Sequence, residues 1–171
     1  MKHGLHEGTH CVGAVVPHLT VADQFTLECL CAHADQSLTG VKVAEPREPV
    51  VRQRGAPRSM TVDNGSECAS RVMDAWAYRH GIQLDCIHPG RPVENGFIES
   101  FNGRLRDECV NVEVFFTLEA AREKLTRWQE DYNHLCPHSS LQDVTPAAFA
   151  AGWAPLPQRA PAALELLEAL T

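Results

Sequence analysis

The sequence contains no long apolar run and no ordered set of cysteines. None of its apolar runs approaches the roughly 20 residues needed to span a bilayer. The longest one near the N-terminus, residues 11–16, is too short and too far from basic residues for a signal peptide. The seven cysteines are odd in number and scattered, unlike a disulfide framework. We therefore expect a cytoplasmic protein with no membrane partner.

An excess of positive charge is also absent. The formal net charge is −7, and it arises entirely beyond residue 60, because residues 1–60 carry six basic and six acidic side chains. A protein that binds nucleic acid through bulk charge is basic. Any nucleic-acid function of this chain must therefore depend on a local site or on a partner domain.

The composition is that of a folded protein. Hydrophobic residues make up 44% and charged residues 22% of the 171 residues, which allows a buried core. Four of the nine histidines fall within residues 1–18, a segment without clear periodicity, and residues 154–171 are rich in proline and alanine. We therefore predict three parts: a divergent N-terminal segment, a core domain and a C-terminal tail, at residues 1–18, 19–153 and 154–171.

Strand-like and helix-like segments alternate along the predicted core, which favours an α/β fold. The predicted strands are residues 25–34, 59–62 and 82–87. The predicted helices are residues 67–80, 93–109 and one that begins after Thr117 and ends before Pro137. Residues 41–54 have helical composition, but Pro46 and Pro49 interrupt them, so the helix either starts at Pro49 or is damaged. The predicted core residues are Phe25, Leu30, Val62, Val72, Trp76, Ile82, Leu84, Phe97, Phe101, Leu105, Leu125 and Trp128.

The predicted helix 93–109 carries two stripes. Its apolar residues repeat every four positions and should face the core: Phe97, Phe101 and Leu105. Its polar residues recur at steps of four, three and four and form a separate stripe: Asn95, Glu99, Asn102 and Arg106. Such a stripe suits a metal or phosphate site, although a solvated helix face has the same pattern.

The spacing of two carboxylates favours the functional interpretation. Asp63 ends a predicted strand and precedes an Asn-Gly turn, at the sheet edge where functional groups collect. Thirty-five residues separate Asp63 from Glu99. Residues 61–67 (TVDNGSE), 89–109 (PGRPVENGFIESFNGRLRDEC), 131–133 (DYN), 137–141 (PHSSL) and 145–149 (TPAAF) resemble the catalytic core of bacterial insertion-sequence transposases. Those proteins carry a retroviral-integrase-type core with a D,D(35)E triad, and the resemblance extends from about Leu19 to Trp153.

The resemblance implies an RNase H-like fold, a mixed sheet flanked by helices, and DNA transposition or integration by polynucleotidyl transfer. In the family, three carboxylates hold two Mg²⁺ or Mn²⁺ ions, one for the attacking oxygen and one for the leaving oxygen. By position, Asp63 matches the second carboxylate and Glu99 the third. The implied DNA contacts are Asn95, Asn102, Arg104 and Arg106, with phosphate as the ligand of the two arginines. Family members assemble as multimers on DNA ends.

The chain departs from the family at several positions. The first catalytic aspartate should fall near Gly4, but no aspartate precedes Asp23 and the nearest acid is Glu7. Cysteines stand where large aromatic residues or an arginine are expected: Cys68, Cys86 and Cys136. The residues before the core do not resemble the family's upstream helix-turn-helix domain, so we expect that domain to be absent. We therefore expect a weak or missing first strand, an N-terminally truncated transposase whose residues 1–18 come from another reading frame, and impaired activity.

Three alternatives remain. A fragment without catalysis could pair with an intact transposase and inhibit it. A metal-dependent nuclease could retain hydrolysis alone, although two metal ligands make this hard. A zinc site could use the histidines at 6 and 10 with the cysteines at 29 and 31, but zinc sites usually place two residues between their cysteines, and here there is one.

Overall fold

The computed structural model describes residues 4–10, 17–62, 70–86, 92–112 and 115–152; for residues 4–10, 40, 86 and 92–95 it describes the backbone alone. The strands are β1 Gly4–His10, β2 His18–Asp23, β3 Cys29–Ala34, β4 Ser59–Val62 and β5 Gln83–Cys86. The helices are α1 Gly40–Ala44, α2 Arg47–Arg54, α3 Arg71–His80, α4 Pro92–Leu105, α5 Leu118–Leu135 and α6 Pro146–Ala151. The order of these elements confirms the predicted α/β class.

The five strands form one mixed sheet in the order β3-β2-β1-β4-β5. β2 lies antiparallel to both β1 and β3, whereas β4 lies parallel to β1 and β5. β1 therefore occupies the centre of the sheet and pairs along both edges. The prediction of a weak or missing first strand is wrong, because pairing on two sides holds Gly4–His10 extended despite its glycines and histidines.

Apolar side chains cover both faces of this sheet. Successive residues of a strand point to opposite faces, and Val21 and Ala22 accordingly belong to different apolar clusters. The first cluster joins the sheet to α1 and α3, with Met60, Val62 and Trp76 nearly inaccessible. The second cluster joins it to α4 and α5: its members include Ile98, Phe101, Leu105, Leu125, Trp128 and Tyr132. The prediction of a mixed sheet flanked by helices is confirmed.

The two prolines divide the first helical region. α1 ends at Ala44, Pro46 stands at the N-cap of α2, and Pro49 lies in the first turn of α2. Both positions tolerate a residue without an N–H group, because the first amides of a helix have no intrahelical acceptor. The segment is interrupted as predicted, but the helix begins at Arg47 rather than at Pro49.

Several predicted boundaries and core residues are corrected. The strand predicted at residues 25–34 begins at Cys29, because Leu27 has a φ of 58°, which breaks the extended conformation. Val72 is 41% exposed, since Met73, Trp76 and Ala77 form the inner face of α3. Phe25 is half-buried beside the ring of Phe149.

The sequence explains where α4 and α5, the two helices around the candidate site, begin and end. α4 continues into a π-helical segment, Arg106–Val110, so the helical chain runs one residue past the predicted end at Cys109. α5 starts as predicted, where the Thr117 side chain accepts a hydrogen bond from the amide of Ala120. It ends at Leu135, two residues before Pro137.

Candidate nucleic-acid and metal site

The two predicted metal-binding carboxylates are associated with different elements, β4 and α4. β4 ends at Val62, as predicted, and Asp63 comes next in the chain but lies outside the described residues. Glu99 lies on α4 and is exposed to solvent. Asn95 belongs to the same helix, although its side chain is outside the described part. Among the four residues of the predicted polar stripe, the structure thus places the side chains of Glu99, Asn102 and Arg106.

Asn102 does not lie on a solvated stripe. It is 2% exposed and its Oδ1 accepts a hydrogen bond of 2.8 Å from the hydroxyl of Thr20, a fully buried residue of β2. The predicted separation of polar and apolar stripes is wrong at this position, because α4 turns Asn102 toward the sheet together with Ile98 and Phe101. Its Nδ2 is buried and has no hydrogen-bond partner among the described residues.

Arg106 extends this line of donors by one turn. It opens the π-helical segment and is half-buried. Its Nε is inaccessible to solvent and has no hydrogen-bond partner in the part of the chain that the structure describes. A buried donor without an acceptor is costly, so an incoming anionic oxygen at this position would be favoured.

Arg104 faces away from this line. Its Nε donates a 2.6 Å hydrogen bond to Oε1 of Glu108, and its guanidinium carbon lies 5.3 Å from the centre of the Tyr132 ring. Burial disfavours the charged form of Arg104, but the hydrogen bond to Glu108 and the charge of Glu108, with smaller contributions from Cys136 and Tyr132, together outweigh it and raise the pKa of Arg104. The same burial, with the nearby Arg104 charge, lowers the pKa of His138, whose Nε2 lies 3.5 Å from Nη1 of Arg104.

β1 brings one acid and no aspartate to the centre of the sheet. Its residue Glu7 pairs with Val21 of β2, a position buried in the first apolar cluster. His6 pairs with Thr61 of β4, two residues before Asp63, and with Ala22 of β2.

Two amide side chains of α5 bond the backbone of the edge strand β3, and these bonds were not predicted from the sequence. Asn133 pairs with both backbone groups of Cys29: its Oδ1 accepts from the amide and its Nδ2 donates to the carbonyl, each at 2.9 Å. Gln129 donates to the same carbonyl at 2.9 Å. Because β3 is an edge strand, these amides act as a substitute neighbouring strand. Their four-residue spacing on one helix face was the available signal.

The described residues contain no cluster of three or more histidine, cysteine or acidic side chains that could hold a metal ion. Cys29 and Cys31 lie on β3 as unbridged thiols, and burial raises the pKa of Cys29 well above its usual value. Cys136 follows α5 directly, while Cys68 and the side chain of Cys86 lie outside the described residues. No described helix has the length and apolar character needed to cross a membrane.

Comparison with known sequences identifies the domain. Two family models, each described as an integrase core domain, match residues 8–92 and 80–146. An insertion element IS407 protein of Burkholderia multivorans is 43% identical over 139 residues, which is 81% of this chain and 50% of that protein. The transposase InsF of insertion sequence IS3A from Escherichia coli is 30% identical over 100 residues, 57% of this chain and 35% of its own length. The chain thus spans about half the length of the first of these relatives.

Comparison with solved structures shows the same fold. The catalytic core of BIV integrase superposes with a TM-score of 0.71 at 16% identity, covering 89% of this chain and 95% of that one. The HTLV-2 integrase core, solved in complex with magnesium in a dimeric form, superposes with a TM-score of 0.62 at 15% identity, covering 85% of this chain and 94% of that one. The RNase H-like architecture implied by the sequence motifs is thereby confirmed. Together, the matched residues 8–146 and the shared fold show that the chain belongs to the integrase core family found in insertion-element transposases.

Proposed function

We propose that this chain carries the DNA-transferring core of an insertion-element transposase, that Asp63 and Glu99 bind a divalent cation there, and that the reaction is impaired because β1 supplies no aspartate. One observation carries the proposal. α4 is fixed to β2, beside the central strand, through the Asn102–Thr20 hydrogen bond, while Glu99, one turn earlier on the same helix, stays exposed. A metal-binding carboxylate on a rigid element meets the requirement for a well-defined site.

The available side chains fit one hydrated cation. Asp63 directly after β4 and Glu99 on α4 provide oxygen ligands, which Mg²⁺ and Mn²⁺ prefer. When bound, such an ion activates a water or hydroxyl and stabilises charge on a phosphate oxygen. The family's three-carboxylate set for two ions does not fit, because its first member is an aspartate of β1 and Gly4–His10 contains no aspartate.

DNA recognition is proposed for Arg106, one helical segment beyond Glu99. Its Nε is a buried donor without a partner among the described residues, its side chain is half-buried, and phosphate oxygens are suitable acceptors. Asn102, predicted as a DNA contact, is 2% exposed and turned toward the sheet, so it is not included. Arg106 is the better candidate for a phosphate contact than Arg104, because the guanidinium of Arg104 is already bonded to Glu108. The proposed role of Asn95 rests on its family motif. The partner is then DNA, and a cytoplasmic location is part of the same proposal.

The test is divalent-cation-dependent nicking of supercoiled plasmid by the full chain. Asp63→Asn and Glu99→Gln should each lower the Mn²⁺-dependent rate at least tenfold, because each removes a metal ligand. Glu123→Gln is the matched control, since it neutralises an exposed carboxylate on α5, far along the chain from the proposed ligands. Nicking that needs no metal, or equal rates in the three variants, would contradict the proposal.

A second function is favoured by the composition of β1. A core without the first aspartate could assemble with an intact transposase and inhibit it; a second copy of this chain is a further potential partner. The supporting observation is that the central strand retains its full pairing although it lacks the family's acid. Such a chain keeps the fold that assembly needs.

Co-purification distinguishes the two functions. A tagged copy of this chain should capture an intact full-length relative and reduce its nicking rate in proportion to the amount added. The same experiment with an unrelated protein of equal charge is the control. Absence of capture, together with Mn²⁺-dependent nicking by this chain alone, would refute the inhibitory function and favour the catalytic one.

A further inference from the structure

Glu108 links two helices through both of its oxygens. It lies in the π-helical segment after α4, where Oε1 accepts from Arg104 Nε at 2.6 Å. Oε2 accepts from the indole nitrogen of Trp128 on α5 at 3.0 Å. The bond to Trp128 ties the end of α4 to the middle of α5 and cannot be kept if α4 rotates against its neighbour, whereas the bond to Arg104, four residues earlier on the same helical chain, orients the Arg104 side chain.

Arg104 adds contacts to the segment beyond α5. Its guanidinium lies over the ring of Tyr132, and its Nη1 is 3.5 Å from His138 Nε2. The rings of Tyr132 and His138 meet edge to face with centres 5.2 Å apart. Arg104, Glu108, Trp128, Tyr132 and His138, termed the α4–α5 cluster below, thus join three separate parts of the chain.

The cluster is continuous with the helix turn that carries Glu99. Phe101 packs edge to face on Trp128 and Tyr132, with ring centres 5.7 and 5.3 Å apart. Phe101 lies two residues after Glu99 and directly before Asn102. Aromatic contacts of this kind hold a helix face more firmly than aliphatic contacts of equal area.

A small rotation of α4 would matter at Glu99. Side chains extend about 5–6 Å from a helix axis, so a 20° rotation displaces a carboxylate by about 2 Å. Metal ligands tolerate about 0.2 Å. A metal site that uses Glu99 therefore requires a device that fixes the rotation of α4.

We propose that Glu108 is a positioning residue: by bonding Arg104 and Trp128 at once, it sets the rotation of α4 and the place where Glu99 is presented. The part of this inference that concerns the metal rests on the proposed function, whereas the part that concerns α4 stands alone. Arg104, predicted as a DNA contact, then acts within the protein.

The chain offers a matched control on the other face of the sheet. Glu48 of α2 accepts a 3.0 Å hydrogen bond from the indole of Trp76 on α3, which is the same chemical contact at the same length. Glu48 also contacts His80 at 3.1 Å. Glu48→Gln therefore removes a comparable interaction from the first apolar cluster and leaves the α4–α5 cluster intact.

The experiment compares Glu108→Gln with Glu48→Gln in the full chain by amide hydrogen exchange and by Mn²⁺ titration. Glu108→Gln should speed exchange of residues 98–105 at least tenfold relative to residues 73–80, and Glu48→Gln should not. Glu108→Gln should also weaken Mn²⁺ binding about tenfold or more, the usual effect of losing an outer-shell partner. Trp128→Phe, with Trp76→Phe as its control, repeats the test with a milder change.

The outcomes separate the two proposals. Uniform acceleration of exchange in both variants would overturn the positioning role and reduce Glu108 to ordinary stabilisation. Selective acceleration with unchanged Mn²⁺ affinity would overturn the part of the proposal that links Glu108 to the metal site. If the unmodified chain binds no Mn²⁺, the proposed metal function fails, and selective exchange at residues 98–105 alone then decides whether Glu108 fixes α4.

Discussion

The carboxamide of Asn133 should stabilise the fold by more than one ordinary side-chain hydrogen bond does. It satisfies both backbone groups of Cys29 on the open edge of β3, with two bonds of 2.9 Å. Cys29 is 1% exposed, so water cannot replace a lost acceptor at its amide. Asn133→Ala leaves that amide unpaired, at a cost of about 1–3 kcal/mol, and removes one of two donors from the carbonyl.

Gln129→Ala provides the internal comparison. It removes the other donor to the Cys29 carbonyl, which keeps its bond to Asn133. No backbone group is left unpaired, so the expected cost is about 0.5–1.5 kcal/mol, the net value of one hydrogen bond. Asn133→Asp keeps the acceptor and loses the donor, and should fall between the two alanine variants.

The assay is equilibrium unfolding in urea, followed by far-ultraviolet circular dichroism at one temperature. The three variants should show equal slopes against urea and shifted midpoints, in the order Gln129→Ala, Asn133→Asp, Asn133→Ala from least to most destabilised. Equal losses for the two alanine variants, or a loss under about 0.5 kcal/mol for Asn133→Ala, would refute the idea that α5 substitutes for a strand.

Four further predictions follow from the described residues. Gln142 has a φ of 60°, in the left-handed region, so Gln142→Gly should raise the free energy of unfolding by about 0.5–1 kcal/mol in urea titrations. A lower free energy of unfolding would contradict the inference that the backbone at Gln142 is strained. Burial first, then Arg104, lowers the pKa of His138 from 6.5, so the unfolded chain binds the proton more readily and stability should fall as the pH drops below 6.5. His138→Asn should reduce the fall in the unfolding midpoint as the pH drops, and an unchanged dependence of the midpoint on pH would contradict the role given to His138. Arg106→Gln should weaken DNA binding, measured by fluorescence anisotropy, and should lower by about 1 the slope of the logarithm of affinity against the logarithm of salt concentration. Arg127→Gln, at an exposed position of α5, is the unaffected control. Gly4→Asp or His6→Asp, which returns an acid to β1, should raise Mn²⁺-dependent nicking; no gain from either would show that the missing aspartate is not the cause of impairment.

The periodic parts of the fold were predictable from sequence. Thr117 precedes an amphipathic run, and its side chain caps α5 as its residue type and position indicate. Ser59–Val62 alternates as a half-buried strand does, and the structure pairs it on both sides. In these elements local propensity and tertiary packing agree, so the sequence pattern suffices.

The remaining differences arise where tertiary contacts decide. Gly4–His10 has little β-propensity, yet two neighbouring strands hold it at the centre of the sheet. Asn102 looked like a surface amide, but its partner Thr20 lies 82 residues away and no local pattern reveals it. Arg104 looked free for DNA, yet it bonds Glu108 four residues later on the same helical chain, and its contact with His138 depends on how α4 meets the chain beyond α5.

The pair of carboxylates could be predicted by residue type and spacing, whereas their environment could not. Glu99 is exposed on α4, and Asp63 follows the last residue of β4, both consistent with the motif. The support for Glu99 comes from Phe101, Trp128 and Tyr132, which meet only in the folded chain. A sequence pattern proposes the ligands, but packing determines how rigidly Glu99 is held.

Mn²⁺ binding to the full chain, followed by electron paramagnetic resonance, is the decisive measurement for the proposed metal site. We predict one bound ion per chain, which Glu99→Gln and Asp63→Asn remove and which Glu123→Gln leaves in place. Two ions per chain would contradict the inference that β1 lacks a functional ligand. No bound ion, or binding that persists in Glu99→Gln, would contradict the assignment of the metal site itself.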